Sequence, residues 1–137
     1  MKKFAICTVL LILMSALTAG CSDNNADVNT LAIRDIQSDP FAFTGELRIN
    51  GIVTDFFDHD TTIFNLKDTA ETLVCLSLIC DSFRLPVKYI GGGNIPQIAD
   101  EVDIIGRWSD TEYGIIFEAT SFEVRRNIIR IIERGPN

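Results

Sequence analysis

His59 lies among three carboxylates, Asp55, Asp58 and Asp60. One imidazole with several carboxylates is a donor set that suits a divalent cation. The same run also reads as an acidic hairpin turn, because Asp favours turns and solvated loops. As a general base, His59 would need a partnered nucleophile, and no such pairing stands in the sequence. Cys75 and Cys80 are the only cysteines that follow Cys21. In an oxidising compartment they form a local disulfide that pins an apolar segment. A thiolate metal or haem-iron pair is the alternative, but a tetrahedral site wants four ligands. A redox pair would normally use Cys-x-x-Cys spacing, which is absent. Gly91-Gly92-Gly93 has no Lys-Ser or Lys-Thr after it, so it reads as loop rather than phosphate cradle. Trp108, Tyr89, Tyr113, Phe64 and Phe117 invite comparison with base-stacking platforms. Most of them fall at strand spacing, which points to core or rim packing. Arg125, Arg126, Arg130 and Arg134 are interleaved with Ile128, Ile129, Ile131 and Ile132. That pattern predicts an amphipathic C-terminal tail, either a helix capping the open end of the domain or a partner surface for an anionic envelope protein or glycan.

The elements that position these groups belong to a chain of 137 residues with a formal charge of −7, 47% hydrophobic and 23% charged. This is enough for one domain with a core and too short for two large ones. The acidic balance argues against nucleic acid, which asks for a basic face. Met1-Lys2-Lys3 is followed by an apolar run from Phe4 to Leu17 that is too short to span a bilayer comfortably. It has the form of a signal-peptide apolar region. Leu17-Thr18-Ala19-Gly20-Cys21 resembles the bacterial lipobox, which implies acylation of Cys21 (palmitate among the chains) and cleavage just before it. The expected division is signal peptide 1–20, lipid-anchored tether 21–29 and a folded domain 30–137. Acyl chains would supply the membrane affinity and place the domain in the periplasm. Ser22, where Asp would favour retention, points to the outer membrane by resemblance to enterobacterial sorting.

Thr30–Ser38 reads as a short lead-in, helical or extended, that ends before Pro40. From Gly45 onward the period is two. Strands are expected at Glu46–Phe56, Thr62–Leu66, Phe83–Ile90, Glu101–Trp108 and Ile115–Val124. Leu73–Cys80 is ambiguous between helix and strand. Gly51 in mid-strand suggests a bulge or a close backbone approach, and Pro86 marks a strand start or edge. Five strands with a glycine in the first describe an all-β, five-stranded OB-fold-like barrel with a short N-terminal lead-in and the C-terminal amphipathic tail. A two-sheet sandwich would want about seven strands.

Gly45-Glu46-Leu47-Arg48-Ile49-Asn50-Gly51-Ile52-Val53, Ile63-Phe64-Asn65-Leu66-Lys67-Asp68 and Leu85-Pro86-Val87-Lys88-Tyr89 resemble strands of small periplasmic OB-fold proteins. So do Glu101-Val102-Asp103-Ile104-Ile105-Gly106 and Gly114-Ile115-Ile116-Phe117-Glu118-Ala119. The pattern is similar to that of the cytochrome c maturation haem chaperones over roughly residues 44 to 124. That family carries haem on a His just beyond the last barrel strand, with an Asp and a Tyr close by. Here the stretch reads Glu123-Val124-Arg125-Arg126-Asn127-Ile128, without His or Tyr. The resemblance therefore implies the barrel and not covalent haem carriage. The function expected is a non-enzymatic, lipid-anchored binding or adaptor module without a cofactor. The alternative is an envelope lipoprotein that handles a divalent metal or haem through His59 with its neighbouring carboxylates and the Cys75 and Cys80 pair.

Overall fold

The computed structural model describes residues 29–112 and 114–135. The signal segment, Cys21, the tether through residue 28, and Tyr113 lie outside the described residues. The alternating run that starts at Leu47 forms β2 (Leu47–Phe57). It is followed by β3 (Asp60–Lys67), β4 (Leu85–Tyr89), β5 (Asp100–Thr111) and β6 (Gly114–Asn127). β2 pairs antiparallel with β3, and β3 with β4. β4 pairs parallel with β6, β6 antiparallel with β5, and β5 returns to β2 from Leu47↔Gly106 to Ile52↔Glu101. The hydrogen-bonded ring β2-β3-β4-β6-β5-β2 is an OB-fold-like barrel, as the sequence pattern implies. A two-residue strand, β1 (Leu31–Ala32), adds to β2 in parallel. The lead-in continues as α1 (Ile33–Gln37) and a 3-10 turn over Pro40–Ala42. No helix among the described residues is long and apolar enough to cross a membrane.

The inward parity of β2 carries Leu47, Ile49 and Val53 into the main core. They meet Phe64 and Leu66 of β3, Leu85 and Val87 of β4, Val102 and Ile104 of β5, and Phe117 and Ala119 of β6. Ile33 and Ile36 of α1 join the same cluster. Phe64 and Phe117 are fully buried there, while Trp108 and Tyr89 pack against its edge. Phe64, Phe117, Trp108 and Tyr89 are thus core and rim rather than an open stacking platform.

Gly51 is a close approach rather than a bulge. A Cβ there would lie 2.6 Å from Ile33 Cδ1 and 3.0 Å from the Lys67 carbonyl. The bulge on this strand comes later, between Val53 and Asp55. Gly106 is another required glycine. Its register shift against β6 brings the Glu118 carbonyl onto the place a side chain would fill.

The ambiguous segment is helical where it starts. α2 (Thr69–Cys75) is capped by Asp68, whose carboxylate accepts from Ala70 N at 3.0 Å and Glu71 N at 3.2 Å. Leu76 then takes a left-handed conformation, φ 51°, and ends the helix. The C-terminal tail also differs from expectation. Arg125 and Arg126 lie in β6, which runs three residues past Val124, and only α3 (Ile129–Arg134) is helical. Both helices pack on the outside of the barrel. Ile52, which points away from the main core, forms a second cluster with Ala99 and Ile128, covered by Leu73, Leu78 and Ile132.

Candidate functional site

After β4, Gly92 and Gly93 take positive φ and turn the chain into a helix-free connection that crosses back to β5. Both ends of this loop are pinned. Tyr89 Oη donates to the Gly92 carbonyl at 3.0 Å, and Ile90 N donates to Ala119 O at 2.9 Å. At the far end Ala99 N donates to Val53 O at 2.8 Å and Ile128 N donates to Ala99 O at 2.9 Å. Asp100 clamps the last turn by accepting from Gln97 N and from Asn127 Nδ2, each at 2.8 Å.

The pinned loop forms one wall of an open cleft of about 1070 Å³, with Asn94, Ile95, Pro96, Gln97 and Ile98 on its side. Phe56 and the β6 residues Phe122 and Val124 face them. Phe56 is backed edge-on by Phe64 at 5.9 Å, and Phe122 by Tyr89 at 5.1 Å. These ring contacts hold the two aromatic walls in place. Ile98 and Val124 are exposed at the lip. Both Asp100 oxygens accept hydrogen bonds, so this carboxylate is a clamp for the loop. The cleft presents polar and apolar surface in nearly equal parts, with Asn94, Gln97 and Asp100 among the aliphatic and aromatic side chains. Such a mixed surface suits an extended chain that makes both apolar and polar contacts.

The acidic run around His59 is divided by the β2–β3 hairpin. Asp58 and His59 form its exposed tip. Asp60 accepts from Thr62 Oγ1 at 2.5 Å and Thr62 N at 2.9 Å, and these bonds hold its carboxyl below the usual range. Asp55 sits within β2, accepts from Asn65 Nδ2 and Thr54 Oγ1 at 2.7 Å each, and pairs with Arg84 at 3.4 Å. Among the described residues, no three or more His, Cys, Asp or Glu side chains come together in an arrangement that could hold a metal ion.

The four arginines also divide. Arg125 meets Asp103 at 2.7 Å and Arg126 meets Glu101 at 2.6 Å, across β5–β6. Arg48 reaches Asp103 at 3.2 Å and Glu123 at 3.3 Å. Asp103 is buried and also accepts from Asn50 Nδ2 at 2.8 Å, while Asn50 Oδ1 accepts from Thr69 Oγ1 at 2.7 Å. Burial alone would raise the Asp103 carboxyl. The hydrogen bonds from Arg125 and Asn50 and the charges of Arg125 and Arg48 outweigh that and hold it below its ordinary value. Arg125 is raised in turn, chiefly by its bond to Asp103. Two of the four arginines are therefore engaged in the strand ladder, and Arg130 and Arg134 sit exposed on α3.

Cys75 and Cys80 lie at disulfide distance, with Cα atoms 6.7 Å apart. The sequence pattern did not reveal what the bridged loop covers. Lys67 is fully buried, and its ammonium donates to the Cys80 carbonyl. Burial, reinforced by the Arg84 charge, lowers its pKa against the opposing pull of Asp55, Asp81 and Glu71. A hollow of about 380 Å³ beside it is lined by Gln37, Glu71, Asp81, Phe83 and the two cysteines. In the sequence, Lys67-Asp68 reads as a polar strand end. The one available signal was that Lys67 has the outward parity of Ile63, a face that needs a cover once Ile63 is buried.

No protein-family model matches the chain, and no curated protein matches it in sequence.

Proposed function

We propose that this chain is a lipid-anchored, extracytoplasmic OB-fold binding module that holds an extended segment of an envelope partner, with both apolar and polar side chains, in the cleft between residues 94–98 and β6. The single observation that carries the reading is that cleft, with aromatic walls fixed from behind and aliphatic residues left exposed at its lip. The cleft is open to solvent, which suits a segment lying across the surface better than an enclosed compact ligand. The binding role is non-enzymatic. The Asp100 carboxylate that lines the cleft accepts from Gln97 N and Asn127 Nδ2, a structural clamp on the loop.

Anchoring is supported by the basic start, the apolar run and the lipobox-like Leu17–Cys21, which together imply acylation and an address in the periplasm, at the outer membrane. The test is a pull-down from solubilised envelopes with the acylated protein. Partner recovery should survive His59→Ala and be lost with Val124→Asp or Ile98→Asp. Equal recovery by all three variants would remove the cleft from the interaction.

A further inference from the structure

The two most exposed large hydrophobic side chains among the described residues flank the Cys75–Cys80 bridge: Val74 at 87% and Ile79 at 85%. Their exposure has a structural cause. Leu73 and Leu78, the residues just before each of them, turn inward against Ile52 and Ile128. The αL turn at Leu76 and the bridge then fix Val74 and Ile79 outward. Ala70 lies one helical turn before Val74 on the same face, and both line a shallow hollow with Arg34 and Glu71. Held outward on a braced loop, Val74 and Ile79 offer apolar surface for a contact.

The start of the domain indicates what that surface touches. Ala32 of β1 lies opposite Asn50, which holds Thr69 at the first turn of α2. Arg34 N donates to Asp68 Oδ2, the cap of the same helix, at 3.2 Å. The chain therefore enters the domain beside α2. Ten residue steps separate Cys21 from Leu31, which reach at most ~35 Å when fully extended, about the width of the domain itself. We infer that Val74 and Ile79, with Ala70 and Arg34 beside them, form a bilayer-contact patch that seats the domain on the membrane holding the acyl chains of Cys21. This inference rests on the anchoring reading above. The two aliphatic side chains enter the boundary between headgroups and acyl chains, and Arg34 lies at the level of the phosphates. Glu71 balances Arg34 on this face, so the contact is apolar in origin and insensitive to salt.

The test places p-benzoylphenylalanine at Ile79 in the full chain and, separately, at His59 on the hairpin tip. Envelopes from cells making each protein are irradiated, and palmitate labelling is read on the same samples. The expected result is a phospholipid adduct at position 79, about five-fold or more above position 59. It should be unchanged in high salt and several-fold weaker when Val74→Ser is added. Equal yields at the two positions on palmitate-labelled protein would overturn the patch and leave the anchoring intact. A discrete protein adduct in place of lipid at position 79 would overturn the bilayer as occupant. Absence of palmitate would overturn the anchoring and the patch with it.

Discussion

Replacing Asp103 with Asn tests the polar joint between β2, β5 and β6. In the native barrel this residue is 3% exposed; its carboxylate accepts from Arg125 and Asn50 at 2.7 and 2.8 Å and is ion-paired with Arg48 at 3.2 Å. Removing one member of a fully buried ion pair costs about 3–5 kcal/mol, mostly for the charge left behind. Here the residual charges are less trapped, because the side chains of Arg125 and Arg48 are 50% and 34% exposed. Water can solvate them, which reduces the loss to about 1–3 kcal/mol. For a domain of this size that is a fall in Tm of roughly 5–12 °C at neutral pH. The pH dependence is more diagnostic. The native carboxyl is held below its ordinary value, so the unfolded chain takes up this proton first as pH falls. Its contribution is complete above the unfolded value of about 4 and fades as pH drops from there toward the lower native value. Urea unfolding of both proteins from pH 7 to pH 3 measures this directly. The gap between wild type and Asp103→Asn should be widest above about pH 5 and close on acidification. A gap that stays constant across the range would show that the carboxylate does not act through its charge, and the argument from Arg125 and Arg48 would fail.

Cys75→Ser with Cys80→Ser should lower stability by about 2 kcal/mol, the loop-closure value for a loop this short. Partner recovery through the cleft should persist, since neither cysteine lines it; denaturant titration and the same pull-down check both. Gly106→Ala should cost about 3 kcal/mol or more, because the obstructing atom is the backbone carbonyl of Glu118. Gly51→Ala should cost less than Gly106→Ala, since its nearest obstacle is the mobile tip of Ile33; equal Tm losses would contradict this ranking. Cys21→Ala should abolish palmitate incorporation and block cleavage by the lipoprotein signal peptidase, as read by labelling and mass. A cleaved, membrane-bound product from that variant would refute the anchoring.

The barrel was legible because its strands declare themselves by parity. Leu47, Ile49 and Val53, then Leu85, Val87 and Tyr89, then Val102, Ile104 and Trp108 each line one face in the sequence and in the core. Strand ends were less legible. β6 runs on through Arg125 and Arg126 because Asp103 and Glu101 on β5 supply cross-strand partners, and such pairing is visible only once the register is known. The acidic run around His59 was legible as a hairpin turn, and Asp58 and His59 form its tip. Neighbours in sequence are separated by strand alternation and a hairpin, so Asp55 and Asp60 find their own local donors. The cleft left no motif at all, since its walls come from β2, the loop of residues 94–98 and β6. These segments meet only when the ring closes.

Ala99 explains how one small residue can serve both the fold and the site. It adopts φ 69° although it is not glycine, a conformation that costs an L-residue about 1 kcal/mol or more. Its amide reaches Val53 O and its carbonyl receives Ile128 N, so the strained peptide ties β2 to the start of the C-terminal segment. Its methyl group is fully buried in the second cluster beside Ile52 and Ile128. The loop that walls the cleft is thus held at its far end by the same contacts that seat α3 on the barrel. The cluster under α2 and α3 therefore supports the cleft as well as the core, and the braced loop carrying Val74 and Ile79 is built on it through Leu73 and Leu78. A loss of packing at Ile52 or Ile128 would loosen the cleft wall and the outward-facing loop together, while the main core around Phe64 and Phe117 lies on the other face of β2.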